Sequence, residues 1–195
     1  MIFKTIQVRI FKKGNILQAL PKIETKRLLL SSFTSADVDD VYEYASNPRV
    51  AKYTSWSPHE SKSNSEAWLA LVFNNQSITT PNLVMPWSIR LNNEPKVIGC
   101  VEFAQVNENT GRVDYVLSEP YWRKGIMGEA VTAVIQWVFQ NLPDITTIIS
   151  GALTENRASC NLLERVGMDF SGYEKVQFDK HTTEQEASTF VLRKP

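Results

Sequence analysis

Residues 121–130 read YWRKGIMGEA. Arg123 and Lys124 stand ahead of two glycines, Gly125 and Gly128, just past Pro120. Upstream, residues 112–118 (RVDYVLS) predict a strand. Downstream, Val131, Val134, Ile135, Val138 and Phe139 recur at the spacing of one helix face. The stretch is therefore a strand-to-helix connection, with the helix beginning between Gly125 and Met127. A first helical turn carries unpaired N–H donors and the positive end of the helix dipole, so it can hold an anion. Glycines there let a phosphate approach the backbone. The same residues also suit a tight turn with solvated cations, and the stretch alone does not choose between these readings. Other nucleotide and hydrolase signatures are absent: there is no Walker A sequence, no G-x-G-x-x-G and no G-x-S-x-G.

Working outward, residues 27–33 (RLLLSSF) predict a strand. A helix follows, with Ser35 as its cap, Asp37 in its first turn and Val38, Val41, Tyr42 and Ala45 on one face; Pro48 ends it. A loop over 49–60 contains Tyr53, Trp56, Pro58 and His59. A second helix starts near Ser63, with Ala67, Trp68, Leu71 and Val72 as its core face. Strands are expected at 84–91, 97–106 and 112–118, joined by NNEPK and NENTG turns. The apolar run 145–153 predicts a strand covered on both faces. TENRASCNLLERVG predicts a short helix with Leu162, Leu163 and Val166 inward and Gly167 closing it. Strands near 168–178 and 187–193 complete the chain. The expected class is α/β: a mixed, mostly antiparallel sheet with helices on both faces. Residues 23–195 are expected to form a single domain, preceded by a basic extension over 1–22.

The chain has 195 residues, 43% hydrophobic and 22% charged, with a formal net charge of zero. That length buries a substantial core, and the balanced charge points away from nucleic acid. Residues 1–20 hold Lys4, Arg9, Lys12 and Lys13 and no acid. They lack the apolar core and cleavage site of a secretory signal. No run approaches the length of a membrane span. Cys100 and Cys160 fall in apolar segments and predict buried free thiols. With only His59 and His181 besides, no zinc-ligand spacing occurs, and no metal is expected. A cytoplasmic setting fits this cysteine usage.

PYWRKGIMGEA, the long helix after it, the apolar strand and NRASCNLLERVGM together resemble the GNAT N-acetyltransferases. The RimJ/RimL-like branch, which acetylates ribosomal-protein N-termini, looks most similar. IETKRLLLSSFTSADVDDVYEY also resembles that branch's opening, and WSIR…KVIGCVEF its central strands. The resemblance covers roughly residues 23–193 and is most specific over 112–170. The general signature Q/R-x-x-G-x-G/A is altered here, with Trp122 in its first slot and Met127 in its last. The resemblance implies acetyl-CoA as cosubstrate, its pyrophosphate on the backbone of Arg123, Lys124, Gly125, Ile126, Met127 and Gly128. The two cations would add charge-assisted contacts. Val116, Leu117 and Ser118 would line a slot for the pantetheine arm, opposite 145–153. Asn156 would touch that arm or an ordered water. The acceptor would be a primary amine, on a protein N-terminus or a small molecule, and the protein a monomer or homodimer.

Acetyl transfer to an amine needs a proton acceptor, an oxyanion donor and a proton for the leaving thiolate; it needs no protein nucleophile. Ser159 matches the serine that RimL-like enzymes place near the thioester sulfur, a proton donor. Helix capping by Asn156 and a solvated serine is the plainer reading. For the base, Arg112 occupies the slot of the family's usual glutamate, and Asp114 lies two residues on, on the same strand face. Glu102 and Glu174 are rivals, and a water-borne base is a further alternative. Tyr53, Trp56 and His59 fall where the branch shapes its acceptor pocket, or else simply pack a lid. A GNAT-fold protein that binds CoA without catalysis is the alternative function.

Overall fold

Val84–Leu91 is buried along nearly its whole length, which is what a strand covered on both faces demands. It is the third strand of eight in the computed structural model, which describes residues 20–75 and 83–195. The strands are β1 (Ile23–Glu24), β2 (Leu28–Ser31), β3 (Val84–Leu91), β4 (Gly99–Gln105), β5 (Thr110–Leu117), β6 (Thr147–Leu153), β7 (Asp169–Val176) and β8 (Gln185–Arg193). They form one sheet in the order β1-β2-β3-β4-β5-β6-β8-β7. Every pairing is antiparallel except β5 with β6. The α/β expectation of a mixed, mostly antiparallel sheet holds. Most of the basic extension lies outside the described residues. Of its last three residues, Leu20 is buried, with its N–H donating to Ser32 Oγ. The Pro21 carbonyl accepts from Trp87 Nε1.

The helices are α1 (Val38–Ala45), α2 (Pro48–Ala51), α3 (Lys62–Asn75), α4 (Ile126–Asn141) and α5 (Arg157–Arg165). Alternation along the strands sorts the two faces. Trp87, Val101, Phe103 and Val113 join the core under α4 and α5, together with Val131, Val134, Val138 and Leu163. Cys100 lies on the opposite face, with Val116 packed beside it, under Val41, Tyr44, Leu69 and Val72 of α1 and α3. The two cysteines are free and buried.

Four local expectations are corrected. The first helix opens with a 3-10 turn, Ser35–Asp37, whose cap is Thr34 rather than Ser35. The Asp37 carboxylate turns back to accept the Thr34 N–H at 2.7 Å. Pro48 does not simply stop a helix but opens α2, where a missing N–H costs nothing. On α3 the buried side is Ser65, Leu69 and Val72, while Leu71 is exposed. Residues 67–73 are apolar on every side of the helix, so its weak periodicity misplaced the face by about a quarter turn, with Val72 common to both readings. On α1, Tyr44 is buried and Tyr42 marginal, the i, i+3, i+4 set being Val41, Tyr44, Ala45.

Candidate active site

The parallel pairing of β5 with β6 is short. It joins Thr110–Arg112 to Thr147–Ile149 and stops. Ser150 Oγ adds a last clasp, donating to the Val113 carbonyl at 2.7 Å. Beyond it, no bond among the described residues links Asp114–Leu117 to Gly151–Leu153, so the strands diverge into a slot. Ser118 N–H bonds to the Ile98 carbonyl on the β4 side. In an antiparallel ladder such groups alternate, so Tyr115 and Leu117 turn their backbone groups toward the slot, and Val116 and Ser118 turn theirs toward β4. The Leu117 carbonyl is already taken by Trp122 Nε1 at 2.7 Å. The Tyr115 amide groups and the Leu117 N–H remain for a ligand's amides.

At the end of this slot α4 begins. Gly125 sits at φ 73°, the left-handed region, as its cap residue, and Arg123 at φ 59°. Gly125 provides no side-chain cap, and among the described residues the N–H groups of Ile126, Met127 and Gly128 have no protein acceptor. Ile126 and Met127 bury their side chains in the core, so only their backbone faces outward. A Cβ on Gly128 would meet nothing within 4 Å, so packing does not explain the glycine. Arg123 and Lys124 are exposed, with Lys124 Nζ 5.7 Å from the Tyr121 ring centre.

The turn is held by Thr25 and Arg27, to which the sequence reading gave no role. Arg27 Nη1 donates to the Lys124 carbonyl at 2.8 Å, and Arg27 Nε to Glu129 Oε2 at 2.6 Å. Glu129 also accepts from Thr25 Oγ1 at 2.5 Å and from the Arg27 N–H at 3.0 Å. These bonds hold the Glu129 carboxyl below the usual range despite the opposing effect of burial. The only signal in the sequence was Glu129 in a first helical turn, where an acid complements the dipole.

On the α5 side, Asn156 caps the helix: its Oδ1 accepts the Ser159 N–H at 3.3 Å. Ser159 Oγ lies 2.6 Å from the Tyr115 hydroxyl. Burial pushes the Tyr115 phenol above its ordinary range, against the pull of the Ser159 bond, so both groups stay protonated at neutral pH. Tyr115 was not singled out from sequence. Its strand position, one residue from Asp114, was the available clue.

Asp114 lies on the other face of β5. It is tied to Arg112, whose Nε donates to Oδ2 at 2.6 Å. Directly across the ladder stands Glu102. Burial first, and then the Asp114 charge, push the Glu102 carboxyl up to about 7; Arg112 offsets part of this. Cys100 lies on the same face, and burial chiefly, with Glu102 and Asp114 adding, keeps it a thiol. Glu174 is on β7, beyond β8 from β6, opposite Ala187. The structure thus gathers Asp114 with Glu102, and Ser159 with Tyr115, on opposite faces of one strand.

Residues 47–56 pass over the Asp114 side. Asn47 Nδ2 donates to Glu119 Oε2 at 2.8 Å, and Arg49 pairs with the same carboxylate. Tyr53 packs with Phe178 against Leu153, Val176 and Ala187. His59 Nδ1 is 2.8 Å from the buried Ser65 hydroxyl, and burial lowers its pKa, favouring the neutral ring.

A family model described as an acetyltransferase (GNAT) domain matches residues 27–169. The uncharacterised N-acetyltransferase YoaA of Bacillus subtilis (strain 168) is 23% identical over 177 residues, covering 90% of this chain and 98% of that protein. A GNAT-family acetyltransferase structure from Bacillus anthracis superposes with a TM-score of 0.78 at 22% identity, covering 89% of this chain and 98% of that one. RimL, the ribosomal L7/L12 α-N-protein acetyltransferase solved with coenzyme A, superposes with a TM-score of 0.73 at 15% identity. It covers 89% of this chain and 98% of its own. The slot, the uncapped helix and this matched span agree: the chain is an acetyltransferase and belongs to the GNAT domain family.

Proposed function

We propose that the chain transfers an acetyl group from acetyl-CoA to a primary amine, both held at once, with no acyl-protein intermediate. The carrying observation is the uncapped start of α4 at the end of the β5/β6 slot. Three free N–H groups converge there beside a glycine whose side-chain space is empty. Diphosphate matches those donors, and the Tyr115 and Leu117 backbone matches an amide-bearing arm. Arg123 and Lys124 add exposed positive charge at the rim.

Glu102 is the proton acceptor this geometry favours. A carboxyl titrating near 7 is half ionised at neutral pH and still basic enough to take a proton. Asp114, held by Arg112, raises the proton affinity of Glu102 through its charge. Ser159, backed by Tyr115, supplies the proton for the departing thiolate. Cys100, kept a thiol by burial, takes no part.

The acceptor class within amines is read from the site's acids: Glu102 and Asp114 share one face and favour a cationic acceptor. A protein N-terminus, as in the RimJ/RimL-like branch, and a small polyamine both satisfy that chemistry. The test is CoA release from acetyl-CoA against peptides and amines, with titration calorimetry for acetyl-CoA binding. Tight binding with no release against the whole panel would convert the reading to a non-catalytic CoA-binding protein. No binding at all would return 121–130 to a plain turn.

A further inference from the structure

The slot has a mouth between two diverging banks, the end of β5 and the end of β6. Residues 47–56 cross from one bank to the other. On the β5 bank, Asn47 and Arg49 grip Glu119, two residues past the strand. On the β6 bank, Tyr53 sits on Leu153, the last residue of that strand, and on Ala187 and Val176.

The far end of the crossing is closed by a single cation. Lys180, in the loop between β7 and β8, directs Nζ at the carbonyls of Ala51, Lys52 and Trp56, at 2.5, 3.3 and 3.2 Å. An ammonium has three donors, and here three backbone acceptors meet them. The turn is shaped for this. Thr54 Oγ1 lies 2.9 Å from the Ala51 carbonyl and 3.0 Å from that of Trp56, drawing both onto one side. No carboxylate pairs with Lys180 among the described residues. Burial lowers its pKa, the cost of placing a cation against neutral dipoles alone.

We propose that residues 47–56 form a bridge over the acceptor mouth, and that Lys180 is its latch, a positioning residue that sets acceptor affinity. This rests on the acetyl-transfer reading. The latch spares the donor half of the site, because among the described residues no hydrogen bond or ion pair joins the loop over 177–184 to the α4 turn or to the Tyr115–Ser159 pair. It acts on the acceptor half, because Tyr53 and Trp56 hang from the backbone that Lys180 holds. The three carbonyl acceptors make the latch depend on a cationic donor at the tip of residue 180. A methionine of similar reach keeps the packing and loses all three bonds.

The experiment compares wild type, Lys180→Met and Lys180→Arg by steady-state kinetics and by amide hydrogen exchange, with circular dichroism to check folding. Exchange is read at the Thr54 and His59 amides, which bond to the Ala51 and Ala45 carbonyls. Lys180→Met is expected to speed exchange at Thr54 by about tenfold or more, as local opening becomes easier. Acceptor KM should rise about fivefold or more, with kcat and the acetyl-CoA Kd within about twofold, the pattern of lost ground-state binding. Lys180→Arg should recover most of both effects. Unchanged exchange at Thr54 overturns the latch whatever the kinetics show. Faster exchange with unchanged acceptor KM overturns its role in acceptor binding. If wild type acetylates no amine, the acetyl-transfer reading has failed instead, and the exchange result alone upholds or overturns the latch.

Discussion

Replacing Glu102 by Gln separates two consequences of one buried carboxyl. Its proton affinity is raised from the ordinary 4.5 to about 7, so the fold favours the protonated form. Stability is therefore fullest below pH 4.5 and declines as pH rises toward 7, where Glu102 ionises against burial and Asp114. At about 1.4 kcal/mol per tenfold in proton affinity, the ceiling of that decline is about 3 kcal/mol. Partial exposure of Glu102 lets solvent screen some of it, so on the order of 2 kcal/mol is expected. Glu102→Gln should thus be about 2 kcal/mol more stable than wild type at pH 8 and no more stable at pH 4, by urea unfolding. Activity should move the other way. Wild-type kcat/KM should rise through pH 7 as the base ionises, and the variant should lose that limb and roughly 10²–10⁴-fold in rate. Equal stability differences at pH 4 and 8 would refute the buried-carboxyl reasoning. A stabilised variant with intact activity would leave the burial correct and remove Glu102 as the base.

Gly128→Ala should leave the fold intact or stabilise it by up to about 1 kcal/mol, since the new Cβ meets nothing and alanine favours helix. Its acetyl-CoA Kd should nonetheless weaken by about tenfold, read by calorimetry, because the methyl fills the phosphate's approach. Ser159→Ala should lower kcat by roughly 10²-fold with acetyl-CoA binding retained, and Tyr115→Phe by about tenfold; undiminished turnover in Ser159→Ala would remove the proton-donor role. Arg90 donates from Nη2 to both Asp37 oxygens at 2.8 Å in a buried pair. Arg90→Leu, leaving that carboxylate buried with the Thr34 N–H but without its cation, should cost about 3–5 kcal/mol in urea unfolding.

The turn and flanking elements proposed to hold the acyl donor were legible in the sequence because they are local. The glycines, cations and dipole end of 121–130 act within one turn, and the helix and strand flanking them have clear periods. The strand Thr147–Leu153 and the core face of α4 came through for the same reason. What periodicity alone could not supply was long-range: Arg27 reaching across about a hundred residues to Lys124 and Glu129, or Lys180 reaching Ala51. Such contacts leave no mark in spacing. The two-residue β1 carries too few side chains to show a period, and α3 shows little amphipathic contrast, so its face was misplaced. Asp114 was favoured as base by its strand face, which it shares with Glu102. Its bond to Arg112, and the resulting advantage of Glu102, depend on which residues stand opposite across the β4–β5 ladder.

The alternation of β5 explains why this site needs a splay at all. Asp114 and Tyr115 are consecutive, so their side chains leave the strand on opposite faces. The carboxylate pair proposed to take a proton belongs to the α1 and α3 face, and the hydroxyl pair proposed to give one belongs to the α5 side. A continuous sheet would wall these functions apart. They can serve one reacting centre only where the edge of β5 is open, past the last bond to β6. That bond is the clasp from Ser150 to the Val113 carbonyl, one residue before Asp114. Extending the ladder by even two residues would pair the Tyr115 backbone with β6, occupying the groups offered to the ligand's amides and closing the passage between the faces. The point at which the parallel ladder stops, more than any single side chain, determines where the chemistry can occur.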